Sequence, residues 1–318
     1  MKNKNFLLNY SNLTVFAYFL AIFFFSFTKV GDYGATIDDY IYYINGVHTY
    51  EYVKHFFLSI FNDKINTDLY RSSINEFPVF YEFILVFICK ILNFNDSSEI
   101  FLTGHYLNFF IFYLTLIVFF KIIKKRFEST FIALIGVTFL ILSPRIFAES
   151  FYNSRDIFFL CLFIFYSNSL FNFLDDSSFK NIILFSFFTA LLLNAKILGL
   201  IPIGLFCLLY VFNFSDTKKK YYKNQKQIYL FLIFCLLFIY VLWPYLWTSP
   251  IKNLFFALRN MLAGHEEIIL VNLYFGEYLS SDMMPWHYRI VWFLITTPVV
   301  ITLLFFLGLF VSVKSIIK

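Results

Sequence analysis

Charge is what this sequence is short of. Only 14% of its 318 residues are Asp, Glu, Lys or Arg, while 60% are hydrophobic. Soluble domains carry roughly 25% and 45–50%. With a mean hydropathy of +0.73, the chain reads as a polytopic membrane protein with no soluble domain of its own. Cysteine is scarce too. Cys89, Cys161, Cys207 and Cys235 lie in apolar runs, without the spacing of a metal site or a disulfide framework; they read as small buried hydrophobes. A net charge of +5 is no nucleic-acid signal, because the basic residues gather in short loops. No small-x-small cleavage site follows the first apolar run (13–27), only Phe-Thr-Lys-Val-Gly-Asp, so that run reads as an uncleaved anchor. No internal repeat of the kind transporters carry is visible.

What is present is apolar and aromatic. The 49 phenylalanines and 23 tyrosines read as AT-rich codon usage rather than as a binding surface. Apolar runs at 13–27, 102–120, 131–142, 157–173, 182–193, 197–212, 228–242 and 290–309 predict an all-α bundle of about eight spans, one membrane domain over 1–318. Residues 38–61 have helical periodicity, with Tyr40, Tyr43, Ile44, Val47, Tyr50, Phe57 and Phe61 in one stripe and Gly46 as a weak point. They read as a helix lying in the interface within an outer loop, 30–77. Residues 78–94 are short and hold Glu82 and Lys90, so they read as juxtamembrane or re-entrant. A second long outer loop is expected at 243–289.

Basic loops at 121–126 and 218–226 go to the cytoplasm by the positive-inside rule. That sorting gathers Asp38, Asp39, Arg145, Glu149, Asn153, Arg155, Asp156, Lys196, His265, Glu266, Glu267, Asp282 and His287 on the other face. Carboxylates there serve as general base or cation ligands, and Arg and Lys hold phosphate. Such a set beside apolar helices suits a lipid-phosphate substrate. Plainer roles stand beside this one. Asp38-Asp39 suit a helix N-terminus, Asp156 a cap and Lys196 a snorkelling position. Arg145 and Arg155 suit lipid phosphates, and His287 beside Trp286 suits an interfacial belt. Glu82, Lys90 and His105 form a candidate buried polar cluster, with His105 alone reading as a packing residue.

The order of these features resembles the polytopic GT-C type glycosyltransferases. The similarity is greatest to the protein O-mannosyltransferase and aminoarabinose transferase branch, which includes the dolichyl-phosphate-mannose-protein mannosyltransferases. Asp38-Asp39 matches the acidic pair of that family's first outer loop. The stretch 144–156 is similar to its proline-to-aspartate outer loop, and Asn194-Ala195-Lys196-Ile197-Leu198-Gly199 to its lysine-glycine turn. Trp243-Pro244-Tyr245-Leu246-Trp247, the run from Met284 to Trp292, and Thr296-Thr297-Pro298 resemble a prokaryotic subgroup. The chain departs from the pattern in having one span beyond the Trp-rich loop, where members usually continue. A minimal member, a truncated one and half of a split gene all fit.

The resemblance implies sugar transfer from a polyprenyl-phosphate donor to a lipid, glycan or protein hydroxyl, with inversion. It places the site on the extracytoplasmic side of a prokaryotic inner membrane. Asp38 or Asp39 would be the base, with Arg145, Glu149, Asn153, Arg155, Asp156, Lys196 and His287 at the substrate. No cofactor is required by this reading; a divalent cation, where one is used, falls to Asp38 and Asp39. The competing readings are a non-catalytic subunit of a glycan or lipid assembly system and a lipid or sugar transporter. The transferase reading expects the acidic pair to share one cavity with Asp156 or Lys196.

Overall fold

Thirteen α-helices and one two-stranded ribbon account for the regular structure among the described residues, 2–61, 79–213, 225–263 and 271–317, of the computed structural model. The first seven helices are α1 (Lys2–Phe27), α2 (Ile37–Ser59), α3 (Phe80–Leu92), α4 (Ser97–Phe127), α5 (Thr130–Ile141), α6 (Pro144–Tyr152) and α7 (Asp156–Asp175). They are followed by α8 (Phe179–Ala195), α9 (Leu200–Asn213), α10 (Gln225–Leu242) and α11 (Pro250–Ala263). Strands β1 (Val271–Tyr274) and β2 (Glu277–Ser280) precede α12 (Tyr288–Thr296) and α13 (Val299–Ile317). The chain is all-α apart from that ribbon, whose Phe275-Gly276 turn has both φ angles positive (49° and 90°), as a two-residue hairpin of this hand requires.

The expected apolar runs all fall in helices, but the described residues do not confirm a count of eight spans. Among the described residues four stretches are long and apolar enough to cross a membrane: Asn12–Asp32, Ser97–Phe127, Asp156–Asp175 and Gln225–Leu242. Counting each of two bent pairs as one span gives up to six. The apolar helices Phe179–Ala195 and Ile197–Leu208 are shorter. The run at 290–309 is broken, not continuous: α12 and α13 meet at 114°. Pro298 explains the break, since it lacks an N–H and pushes the preceding Thr297 out of the helical region (φ −96°, ψ 132°). The stretch after 143 is likewise no loop. Pro144 sits in the first turn of α6, where its missing N–H costs nothing, and Arg145 pairs with Glu149 one turn on. Within 243–289, α11 and the ribbon replace the expected loop. Residues 62–78, 214–224 and 264–270, and with them most of the basic loop at 218–226 and the acids Glu266 and Glu267 beside His265, lie outside the described residues.

Helix α4 is the frame. Its 31 residues rise about 46 Å, more than a hydrocarbon core of about 30 Å. Asp96 stands at its N-cap, and Lys124, Lys125 and Arg126 fill its last turn, where cations oppose the helix dipole. On one side Phe112, Leu116 and Phe120 pack with Phe19 of α1, Ala133 and Val137 of α5 and Cys161 of α7. The main core lies between α3, α7, α8, α9 and α10, where Phe173, Phe206 and Phe231 surround the fully buried Phe185. The Phe185 and Phe231 rings stack at 4.6 Å. Ser186 ties the same two helices by donating to the Phe231 carbonyl, 3.1 Å away, the kind of interhelical bond that apolar bundles use. Cys89, Cys161 and Cys235 are buried as expected; Cys207 is exposed.

The predicted stripe on α2 is not its buried face. Tyr40, Phe57 and Phe61 are exposed, while Gly46, Thr49 and Tyr52 are buried. Gly46 is the reason. A Cβ there would stand 2.8 Å from the Glu82 Cβ and 2.9 Å from its carbonyl carbon. The residue that looked like a weak point is where α2 and α3 touch backbone to backbone. The far end of α2 is held by Trp247, whose ring packs on Phe56 at 4.9 Å and whose Nε1 donates to the Tyr240 carbonyl at 2.8 Å.

Two glycines in helices should therefore respond oppositely to alanine. Gly46→Ala is expected to lower stability by about 1–3 kcal/mol through overpacking. Gly204→Ala on α9, where a Cβ meets nothing within 4 Å, should raise it by about 1 kcal/mol. Thermal unfolding of the two variants in detergent, followed by near-ultraviolet absorbance, checks both signs.

Candidate active site

The site is assembled from four helix ends. Asp39 lies in the first turn of α2, in a capping arrangement: the Thr36 N–H donates to its Oδ2 at 2.7 Å, and the Asp39 N–H donates to the Thr36 carbonyl at 3.3 Å. The helix-start role raised by the sequence is thus real for Asp39. It occupies one carboxylate oxygen; the other has no hydrogen bond among the described residues. The side chain of Asp38 lies outside the described residues.

Between α6 and α7, Asn153 shapes the turn. Its Oδ1 accepts the N–H groups of Arg155 (3.2 Å) and Asp156 (2.8 Å), and its amide nitrogen donates to Glu149 Oε2 and Asp156 Oδ2, both at 3.2 Å. Asn153, not Asp156, therefore caps α7. That leaves the Asp156 carboxylate to take the ammonium of Lys196. Lys196 ends α8 in an extended conformation, and the next turn is tight: a Cβ on Gly199 would stand 2.7 Å from the Leu192 carbonyl oxygen. Arg145 reaches Glu149 at 2.8 Å and lies 5.1 Å from the Trp292 ring centroid on α12. A continuous chain, Arg145–Glu149–Asn153–Asp156–Lys196, thus runs across one end of the bundle.

Arg155 turns inward. Its Nε lies 3.1 Å from Glu82 Oε1, and its guanidinium sits 3.9 Å from the Tyr42 ring centroid. Glu82 is 3% exposed. Burial pushes its carboxyl above the ordinary range, with Arg155 pulling the other way. The cluster expected from Glu82, Lys90 and His105 is corrected at one member. Lys90 is exposed, and Arg155 is the cation that meets Glu82. A glutamate in an apolar helix was the sequence signal for this pair; Tyr42, in a run of tyrosines, carried none.

These groups enclose a cleft of about 220 Å³, lined by Thr36, Asp39, Tyr42, Tyr152, Asn153, Ser154, Arg155, Asp156 and Lys196. Asp39, Asp156 and Lys196 are thereby brought together. His287 is not among the lining residues; it precedes α12 and packs near Tyr274 and Trp286. Asp282 lies in an exposed turn. Among the described residues no group of three or more His, Cys, Asp or Glu side chains is placed to hold a metal ion.

The cleft sits at the end of α4 marked by His105, which hydrogen-bonds the Val30 carbonyl. The opposite end carries Lys121, Lys124, Lys125 and Arg126, with Lys125 paired to Asp175 at the end of α7. From 105 to 125 the helix rises about 30 Å.

The raised Glu82 value fixes a sign. A carboxyl held above its unfolded value, about 4.3, contributes stability that is complete below that value and is lost as pH rises through the folded one. Glu82→Gln does not ionise. Its unfolding temperature relative to the parent should therefore increase between pH 4.5 and 7.5, read from paired melting curves at each pH.

No family model matches the chain, and neither a curated protein nor a solved structure matches it.

Proposed function

We propose that this chain is an integral membrane glycosyltransferase that moves a sugar from a polyprenyl-phosphate donor to an acceptor hydroxyl, with Asp39 as general base. The observation that carries the reading is the lining of one cleft, at helix ends, by a carboxylate with an open oxygen and by the cations Arg155 and Lys196. The acceptor O–H gives its proton to Asp39 as its oxygen attacks the anomeric carbon. The bond from that carbon to the phosphate oxygen breaks, and the configuration inverts.

The two cations take unequal shares in this reading. Lys196 and Asp156 are substantially exposed, 30% and 51%. Such pairs are worth about 0–1 kcal/mol, so a donor phosphate displaces Asp156 from Lys196 at little cost. Arg155 is fixed between the buried Glu82 and Tyr42 and supplies the constant positive wall. Glu149, Asn153 and Arg145 hold Asp156 and the α6–α7 turn in place. His287 has no part. The basic residues at the far end of α4 support an extracytoplasmic cleft, and the resemblance supports a prokaryotic inner membrane. A cleft at helix ends, rather than at the bilayer midplane, favours transfer over transport.

The test is transfer of radiolabelled sugar from a panel of polyprenyl-phosphate sugars by protein in nanodiscs. Asp39→Asn should reduce turnover by at least about 10²-fold, with folding kept because the amide oxygen still accepts from Thr36. Lys196→Met should raise the donor KM more than it lowers kcat. Silence with every donor while polyprenyl phosphate still binds would overturn a self-sufficient transferase. Silence with no lipid binding would put a non-catalytic membrane subunit in its place.

A further inference from the structure

The reaction proposed above leaves His105 unused, although it lines one cavity with the base. The residue is 5% exposed. One ring nitrogen is engaged by the Val30 carbonyl; the other, Nε2, is buried without a hydrogen-bond partner among the described residues. Leaving a buried polar nitrogen unpaired costs about 1–3 kcal/mol, so its position asks for a partner.

His105 borders a second, inner chamber of about 30 Å³ whose lining includes Asp39, Tyr42, Tyr81, Glu82 and Tyr152. That space has room for water, and a buried water needs two to four polar partners. Asp39 from α2, Glu82 from α3 and His105 from α4 supply them. The Tyr81 hydroxyl is committed to the Gly104 carbonyl at 2.7 Å. Asp39, Tyr42, Tyr152 and Ser154 line both this chamber and the larger cleft. Asp39 is the one carboxylate common to the two linings, so it borders both.

We propose that a water molecule in the inner chamber links Asp39 to His105 Nε2, and that His105 takes up the proton Asp39 removes from the acceptor. The inference rests on the transferase reading and extends it. The acceptor O–H bond breaks and its proton goes to Asp39; the electron pair of the broken sugar–phosphate bond leaves with the polyprenyl phosphate. Asp39 then protonates the water, which gives a proton of its own to Nε2. The base is ionised again, and the imidazolium faces the Asp39 and Glu82 carboxylates, Glu82 still paired with Arg155. When products leave, the proton returns by the same water and Asp39 to solvent.

The first test needs no turnover. In protein labelled with ¹⁵N-histidine, the His105 ring signals are assigned by their loss in His105→Asn, and their titration is followed with and without Asp39→Asn. The expected result is a midpoint lowered by about 0.5–1 pH unit in Asp39→Asn and unmoved in Asp156→Asn. A midpoint indifferent to Asp39→Asn would overturn the link. The second test is kinetic. His105→Asn should lower kcat by about 10²-fold, with donor KM unchanged and the acid limb of the pH–rate profile displaced. Transfer that needs Asp39 but ignores His105→Asn would overturn the relay and leave the transferase standing. A shifted midpoint in a protein that transfers nothing would keep the water link and remove the transferase reading, and the relay with it.

Discussion

A charge buried in an apolar bundle must be matched, and in this chain one such match sets the geometry of everything around it. Glu82 is almost completely enclosed, and Arg155 is the cation that meets it. Arg155 in turn lies on Tyr42. Helices α2 and α3 and the residue that precedes α7 are therefore held to one another at a single point by groups that cannot separate without leaving a bare charge. The backbone contact at Gly46 reinforces the same junction from the other side of Glu82. Asp39 is one helical turn from Tyr42, so its place over the cleft follows from that junction.

The polar residues at this end of the bundle divide into two groups with different physics. Glu82, buried, and Arg155 and Tyr42, half-buried, form a fixed wall. Arg145, Glu149, Asn153, Asp156 and Lys196 form an outer chain whose members are partly exposed and exchangeable. A site that binds and releases a charged ligand needs both: a rigid reference against which the ligand is placed, and pairs weak enough to be traded for it.

Much of this was legible in the chain itself. The scarcity of charge announced the bundle, and the position of Asp39 after the first apolar run, with Asp156 and Lys196 at other run ends, pointed to three residues that line one cleft; Asp38 lies outside the described side chains. Three things were not legible, each for a physical reason. Gly46 was read through helix propensity, a local quantity, whereas its role is a contact with a residue 36 positions away. Asp156 was read as a cap because it precedes an apolar run; Asn153 does that work, since its amide can accept two N–H groups and donate as well. The break at Pro298 was hidden because apolarity continues through it, and hydropathy reports solvent preference, not direction.

The shortness of two helices bears on the lipid as well as on the protein. Lys196 sits between Phe179–Ala195 and the run from Ile197 to Asn213, each about 26 Å long over its described residues, while α4 exceeds the thickness of a bilayer. Lipid meeting such unequal neighbours thins against the shorter ones. The headgroup plane is then drawn down locally toward the lysine, which under the proposed function would bring a donor phosphate to the depth of the cleft within its own leaflet. Bilayer thickness, set by acyl-chain length, becomes a variable to which this end of the molecule is tuned.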